Sequence, residues 1–133
     1  MGHLMARIRT IKPSFWGDER IAALSRDARL LALGLISSAD DHGRFLASPQ
    51  VILGYVYPHD HDVHPAKIRK WLDEIQNARK RCDKCGIEHG LIELYQPNGL
   101  QYGAFPHWKQ HQRISHPQPS AIPPPPSWNG NAA

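Results

Sequence analysis

The two cysteines of the chain lie close together in the stretch NARKRCDKCGIEH, which covers residues 77–89. Cys82 and Cys85 have the C-x-x-C spacing of zinc sites and of redox-active pairs. A redox-active pair is expected at the start of a helix that follows a strand, whereas this pair comes after a helical pattern. The position of the pair after a helix therefore favours a metal site over a redox-active pair. Two reduced thiols in a basic loop are the simpler alternative.

Zinc held only by protein side chains takes four ligands, so two must lie outside the cysteine pair. His89 follows Cys85 by four positions. β-type runs at 91–95 and 100–105 flank an Asn-Gly pair, which is a strong hairpin signal. A hairpin centred on that pair brings His107 within one residue of the position opposite His89. The sequence thus predicts a structural zinc site formed by Cys82, Cys85, His89 and His107, with His111 as the alternative fourth ligand.

Two further clusters carry side chains of metal-binding or catalytic type. Residues 58–64, PHDHDVH, are more simply interpreted as a polar loop in which His64 precedes a helix. Asp40 and Asp41 form a carboxylate pair with no third catalytic partner in view, which favours a role in a turn. The sequence has no phosphate-binding loop or nucleophile motif, so no catalytic residue is assigned and no enzyme activity is expected. A nuclease would require a metal site with an open position.

The formal charge of +4 reflects one region of the chain. Between Lys67 and Lys84, seven cations and three anions leave an excess equal to the net charge of the whole chain. Such clustering favours a polyanionic partner, because Lys and Arg neutralise DNA phosphates. The alternative is a protein-interaction module on which the basic patch is incidental. The candidate DNA-contacting residues lie in an N-terminal arm, one helix, the cysteine-containing stretch and the segment after the hairpin: Arg7, Arg9, Lys12, Lys67, Arg69, Lys70, Arg79, Lys80, Arg81, Lys109 and Arg113.

Positioning these residues requires the helices and strands that the apolar pattern predicts. Helices are expected over 18–24, from an N-cap at Ser25 to about residue 38, over 49–57, and from Pro65 after His64. Strands are expected at 44–46 and on either side of the Asn-Gly pair. This order predicts an α+β winged helix-turn-helix, with a three-helix core, a β-hairpin wing and a zinc-knuckle insert. In that fold the third helix enters the major groove of duplex DNA and the wing lies beside the backbone.

Three motifs, IKPSFW at 11–16, ADDHGRF at 39–45 and HWKQHQRI at 107–114, resemble those of winged-helix proteins of actinobacterial phages. Those proteins are related to the DNA-binding halves of phage replisome organisers, and the similarity covers roughly residues 6–120. The resemblance implies a winged-helix fold, DNA binding and a role in phage DNA replication or gene regulation. It also implies replication proteins such as a helicase as partners. The insert departs from the family, which passes almost directly from the third helix to the next strand.

These patterns divide the chain into three parts. Residues 1–5 are expected to be a leader left by cloning, residues 6–116 the winged-helix domain with its insert at 76–90, and residues 117–133 a proline-rich tail that is extended or disordered. The PPPP run at 123–126 suits either docking on a partner's aromatic groove or a plain spacer. No apolar run reaches the ~20 residues of a membrane span, and no signal peptide is evident. The expected location is the cytoplasm. The resemblance implies that this is the cytoplasm of an infected bacterial host.

Overall fold

The computed structural model describes residues 7–83, 86–126 and 128, which form helices and small antiparallel sheets. The expectation of a mixed α+β fold is therefore confirmed. In chain order the elements are α1 (Ser14–Gly17), α2 (Glu19–Ala22), α3 (Arg26–Ser38), β1 (Arg44–Leu46), α4 (Pro49–Val56), α5 (Pro65–Asn77), β2 (Arg79–Arg81), β3 (Glu88–Gly90), β4 (Glu93–Tyr95), β5 (Tyr102–Ala104) and α6 (Trp108–His111).

Helix α3 begins and ends where the sequence predicted. The Ser25 hydroxyl accepts a hydrogen bond from the Ala28 amide at 3.2 Å, as expected of an N-cap. Ala28, Leu31 and Leu35 recur at helical spacing and are completely buried. This apolar stripe is the side of α3 that packs into the core against α5.

Helices α4 and α5 each begin with a proline, in accordance with their predicted starts. The Ser48 hydroxyl caps α4 by accepting from the Val51 amide, whereas His64 occupies the cap position of α5 without a side-chain hydrogen bond. Helix α5 packs against both α3 and α4. Its buried face carries the predicted apolar stripe, consisting of Ile68, Trp71, Leu72 and Ile75. The polar side chains of α5 are thereby turned away from the core.

The main sheet has three strands in the order β1-β5-β4, all antiparallel. Leu94 pairs with Gly103, which is the register expected of a hairpin centred on the Asn-Gly pair. Gly103 also lies opposite Phe45 of β1. A Cβ atom at position 103 would come within 2.2 Å of the Phe45 ring. The sheet therefore requires glycine at this position, so that the Phe45 ring can lie against the strand.

The insert forms a second sheet that the sequence did not indicate. Strands β2 and β3 pair with each other, with Lys80 opposite His89. The Arg20 guanidinium, on α2, donates to the Gly90 carbonyl at 3.0 Å. A Cβ atom at Gly90 would lie 2.4 Å from the Gln76 carbonyl oxygen, near the end of α5. The small sheet is thus held between α2 and the end of α5.

The N-terminal arm is tied to the segment that follows the wing. The Thr10 amide donates to the Gln112 side-chain carbonyl at 2.9 Å, and the Gln112 side-chain amide donates back to the Thr10 carbonyl at 2.9 Å. The arm differs from the expectation at its end, because Ser14–Gly17 form the short helix α1 and α2 then begins after Asp18. In the part of the chain described by the structure, no helix has the length and apolar character needed to cross a bilayer.

Candidate metal centre and basic surface

Three of the four predicted metal ligands come together in the structure. The ligand atoms of Cys82, His89 and His107 all lie within 4.8 Å of one another. The Cys82 Sγ atom is 3.4 Å from His107 Nε2, and the two imidazole rings meet nearly edge to face at a centroid distance of 5.7 Å. One sulfur and two nitrogen donors at these distances are close enough to hold a single metal ion.

Each of the three side chains is positioned by a different piece of backbone. Cys82 directly follows β2, and its amide donates to the Ile87 carbonyl while its own carbonyl accepts from the Gly86 amide. Gly86 has φ +71°, a value in the left-handed region that favours glycine. His89 is the central residue of β3, and His107 lies just before α6 with φ 56°. An ion bound here would join the insert to the open end of the wing.

The surroundings of His89 favour its neutral form. Its side chain is buried, and burial is the main reason that its pKa lies below the ordinary histidine value. The charges of His107, Arg79 and Arg20 lower the pKa further. A histidine binds a metal through a neutral imidazole, so this environment suits a ligand.

Two ligand candidates remain, Cys85 and His111. Cys85 lies outside the described residues. His111 lies at the end of α6 and does not belong to the group of three whose ligand atoms meet, among the residues the structure describes. The structure therefore brings together Cys82, His89 and His107 and leaves His111 apart from them.

A network of charged side chains supports the main chain around His89. The Asp18 carboxylate pairs with the Arg20 guanidinium at 2.9 Å and with the Lys80 ammonium at 3.3 Å. Burial opposes ionisation of Asp18, but hydrogen bonds from Arg20, its charge and a hydrogen bond from Lys80 outweigh burial and hold the pKa of Asp18 well below its usual value. Arg20 also donates to the His89 and Gly90 carbonyls. Sequence reasoning missed the role of Arg20, because nothing in the pattern around it indicates a contact with Gly90, which lies 70 residues away.

A cavity of about 490 Å³ borders the candidate metal centre. Its wall includes all three ligand residues together with apolar side chains such as Phe15 and Ile21. Arg20 of the supporting network also contributes to the wall. The candidate metal centre therefore lies at the edge of a hollow beneath the N-terminal arm.

The cations of the arm are engaged by the protein itself. The Arg9 guanidinium, only 3% exposed, forms an ion pair with Asp41 at 3.1 Å and donates to the Ala39 carbonyl. Arg7 contacts the other Asp41 oxygen at 3.2 Å and is 39% exposed. The Lys12 ammonium donates to the Gln110 carbonyl at 2.8 Å. Arg9 was expected to contact DNA, but its guanidinium is enclosed in the fold, because the buried Asp41 carboxylate requires a counter-charge.

The cations of α5 are presented to solvent. Lys67, Arg69 and Lys70 are all exposed and lie off the buried stripe of the helix. Lys67 donates to the Asp62 carbonyl near the start of α5. The Arg69 guanidinium donates to the Gln101 side chain at 2.6 Å, which joins α5 to the loop of the β4–β5 hairpin. Helix and hairpin thus present their polar surfaces side by side.

The cations of the insert and of the segment after the wing differ from one another in exposure and in bonding partners. Arg79 donates to the Glu88 carbonyl, and Lys80 is paired with Asp18. Arg81 is exposed on the outer face of β2. Lys109 and Arg113 are exposed at and after α6. Arg81, Lys109 and Arg113 are therefore exposed to solvent, whereas Lys80 is paired with Asp18 within the protein.

Comparisons of the chain with protein-family models, curated proteins and solved structures find no match.

Proposed function

We propose that this chain is a winged helix-turn-helix protein that binds duplex DNA in phage DNA replication or gene regulation. Helix α5 would enter the major groove, and the β4–β5 hairpin would act as the wing. The protein would recognise and hold DNA without performing chemistry on it. The observation that carries this proposal is the exposed cationic face of α5 joined to the hairpin by the Arg69–Gln101 contact.

The order and pairing of the elements support this proposal. A helix, a strand, two helices and a hairpin follow one another as α3, β1, α4, α5, β4 and β5, and β1 pairs with the second strand of the hairpin. The insert does not interrupt this arrangement, because β2 and β3 pair with each other. The core helices can therefore present α5 in the manner of a recognition helix.

The charge distribution supports a contact with phosphates. Lys67, Arg69 and Lys70 lie on α5, and cations at accessible positions are what neutralises a DNA backbone. Arg81, Lys109 and Arg113 extend the set outside the helix. Arg9 is omitted from the proposed interface, since its guanidinium is enclosed with Asp41.

We further propose that the metal is a structural zinc ion. Sulfur and imidazole donors are the ligands that zinc favours, and a closed tetrahedral site needs a fourth. Cys85 supplies that fourth ligand in the proposal, because the C-x-x-C spacing keeps it close to Cys82. The ion would staple the insert to the base of the wing and would carry no reaction.

The test is DNA binding measured as a function of salt concentration. Binding through several phosphates should weaken steeply as salt rises, with a slope of log K against log salt of about −0.9 per phosphate neutralised. The double variant Arg69→Gln, Lys70→Gln should weaken binding and reduce the slope by about two. Arg26→Gln, which removes an exposed cation from the start of α3, is the matched control and should change neither.

The duplexes should include both random sequence and DNA of the phage from which the gene comes. Failure to bind any duplex at low salt would overturn the proposal. That result would favour the alternative of a protein-interaction module with an incidental basic patch.

A further inference from the structure

Residues 118–125 of the proline-rich tail lie against a surface formed by Asp40, Asp41, His42, Arg44 and Tyr95, which we call the groove. Residues 118–125 run past the turn that carries Asp40 and Asp41 and then past β4. Ile122 and Pro123 are half-buried and Pro125 is buried, although the segment forms neither helix nor strand. The groove therefore receives an extended peptide and covers part of its apolar surface.

Five polar contacts hold residues 118–123 of this segment. The Gln118 amide donates to Asp41 at 2.9 Å, and the His42 ring donates to the Gln118 carbonyl at 3.1 Å. The Ser120 hydroxyl donates to the Asp40 carboxylate. The contacts at the far end go to carbonyls of the tail, where Arg44 donates to Ile122 at 2.7 Å and Tyr95 donates to Pro123 at 2.7 Å.

These contacts have the character of peptide recognition. Four of the five go to main-chain groups, and the fifth goes to a serine hydroxyl. A segment rich in proline is suited to such a groove, because it is extended before it binds and loses little conformational freedom. The Tyr95 and Tyr102 rings, 5.8 Å apart, provide an aromatic surface beside the hydroxyl that bonds to Pro123.

The walls of the groove are organised by contacts that do not involve the tail. Asp40 also accepts from the His42 and Arg44 amides, which fixes its carboxylate in the turn. Asp41 is held by Arg9, and Tyr95 belongs to β4. The acceptors and donors would therefore keep their positions if the tail left.

We propose that this groove is a peptide-binding site for an extended segment of the type Gln-Pro-Ser-x-Ile-Pro. The chain's own tail occupies the site as a competitor, and a segment of the same type in another protein takes its place. The tether through residues 113–117 keeps the tail at an effective concentration on the order of 1 mM. The external segment therefore binds where it contacts the groove more tightly than the tail, or where the tail has been freed. This activity is separate from the proposed DNA binding.

The experiment frees the tail in the folded, full chain. A protease site is inserted between Ser115 and His116, which are exposed, and the cut tail is removed by dialysis. A fluorescent peptide of sequence HPQPSAIPPPP, corresponding to residues 116–126, is then added. We expect the cut protein to bind the peptide at least about 100-fold more tightly than the uncut protein does.

Two substitutions test the contacts themselves. Tyr95→Phe in the protein removes the hydrogen bond to Pro123, and Ser120→Ala in the peptide removes the bond to Asp40 together with the hydroxyl's bonds to Ile122. Each change should weaken binding about fivefold. Tyr57→Phe is the matched protein control, since the Tyr57 hydroxyl bonds to Asp27 elsewhere in the fold. Ala121→Ser is the peptide control, because Ala121 is exposed. Neither control should change the affinity.

The uncut chain provides a readout that does not depend on cleavage. Excess unlabelled peptide should speed hydrogen exchange at the Gln118 amide, because that amide leaves Asp41 when the tail is displaced. Tail exchange between two copies, seen as a dimer at high protein concentration, would also support the site. The proposal is overturned if Gln118 exchange is unaffected at saturating peptide, or if binding is insensitive to both Tyr95→Phe and Ser120→Ala.

Discussion

Asp41 and Arg9 form an ion pair inside the fold, with a distance of 3.1 Å between carboxylate and guanidinium and with side chains that are 0% and 3% exposed. Arg7 contacts the second carboxylate oxygen, and the Gln118 amide donates to the same oxygen. One carboxylate therefore joins the N-terminal arm, the turn before β1 and the proline-rich tail.

Replacing Asp41 by Asn should destabilise the protein by about 2 kcal/mol, because the Arg9 guanidinium would stay enclosed without its counter-charge. Urea unfolding followed by tryptophan fluorescence measures the change. Asp73→Asn is the control, since Asp73 is exposed on α5 and its loss of charge is the same. An unchanged urea midpoint for Asp41→Asn would contradict the importance of the ion pair.

The contribution of Asp41 should depend on pH. Burial opposes its ionisation, but the Gln118 amide, the Arg9 hydrogen bond and the charges of Arg7 and Arg9 outweigh burial and hold the pKa of Asp41 below its ordinary value. A carboxylate of this kind stabilises the fold fully above its unfolded pKa of about 4 and loses that effect as pH falls through the lower folded pKa. The difference in unfolding free energy between wild type and Asp41→Asn should thus be equal at pH 7 and pH 6 and should shrink below about pH 4. A difference that grew on acidification would have the wrong sign.

Gly103→Ala should destabilise the sheet by about 2 kcal/mol, because the new methyl group would overlap the Phe45 ring. Gly54→Ala offers the contrasting case. Gly54 lies in α4 with nothing within 4 Å of the added Cβ, so this change should stabilise the protein by about 0.5 kcal/mol. Thermal unfolding of the two variants and of the wild type measures whether Gly103→Ala lowers the stability and Gly54→Ala raises it. Equal effects of the two substitutions would argue against the close contact at Phe45.

Protein purified without a histidine tag should contain about one zinc ion per chain by elemental analysis. The double variant Cys82→Ser, Cys85→Ser and the single variant His107→Ala should lose the metal. His59→Ala is the control, because His59 lies in the loop after α4, away from Cys82, His89 and His107. Zinc retained in full by the double cysteine variant would refute the ligand assignment.

Arg20→Gln should lower zinc affinity about tenfold, because residues that hold a metal ligand's backbone and surroundings tune its affinity. The guanidinium donates to the His89 and Gly90 carbonyls, so its loss should loosen β3. Competition with a chromophoric chelator measures the change, and Arg26→Gln supplies a charge-matched comparison. If Arg20→Gln bound zinc as tightly as Arg26→Gln, the network around Asp18 would have no bearing on the site.

The helices and the main sheet were accessible to sequence reasoning because their signals are local. Ser25 and the apolar residues of α3 and α5 lie at fixed spacings, and the Asn-Gly pair gave the register in which Leu94 meets Gly103. His107 followed as a candidate metal ligand from that register, whereas His89 followed from its spacing after Cys85. Local signals of this kind depend only on residues within a few positions of one another, so they can be recognised directly in the sequence.

The features that sequence reasoning missed depend on distant residues. Strands β2 and β3 consist largely of charged residues with no β-type alternation, and their pairing is supported by Arg20 on α2. The ion pair between Arg9 and Asp41 and the hydrogen bond from Tyr95 to Pro123 of the tail likewise join residues far apart in the chain. An arginine in an extended arm looks the same in sequence whether it binds DNA or a buried carboxylate.

The link between Thr10 and Gln112 has a consequence for how the chain is made. A ribosome releases Thr10 before its partner Gln112, which follows 102 positions later. Helices α3, α4 and α5 can pack while synthesis continues, whereas the arm must wait until α6 has emerged. His107 is also made after Cys82 and His89, so the three candidate metal ligands and the docked arm are both completed only after α5 has been made. Assembly of the candidate metal centre and docking of the arm would then fall in the same stage of folding, after the core helices have packed.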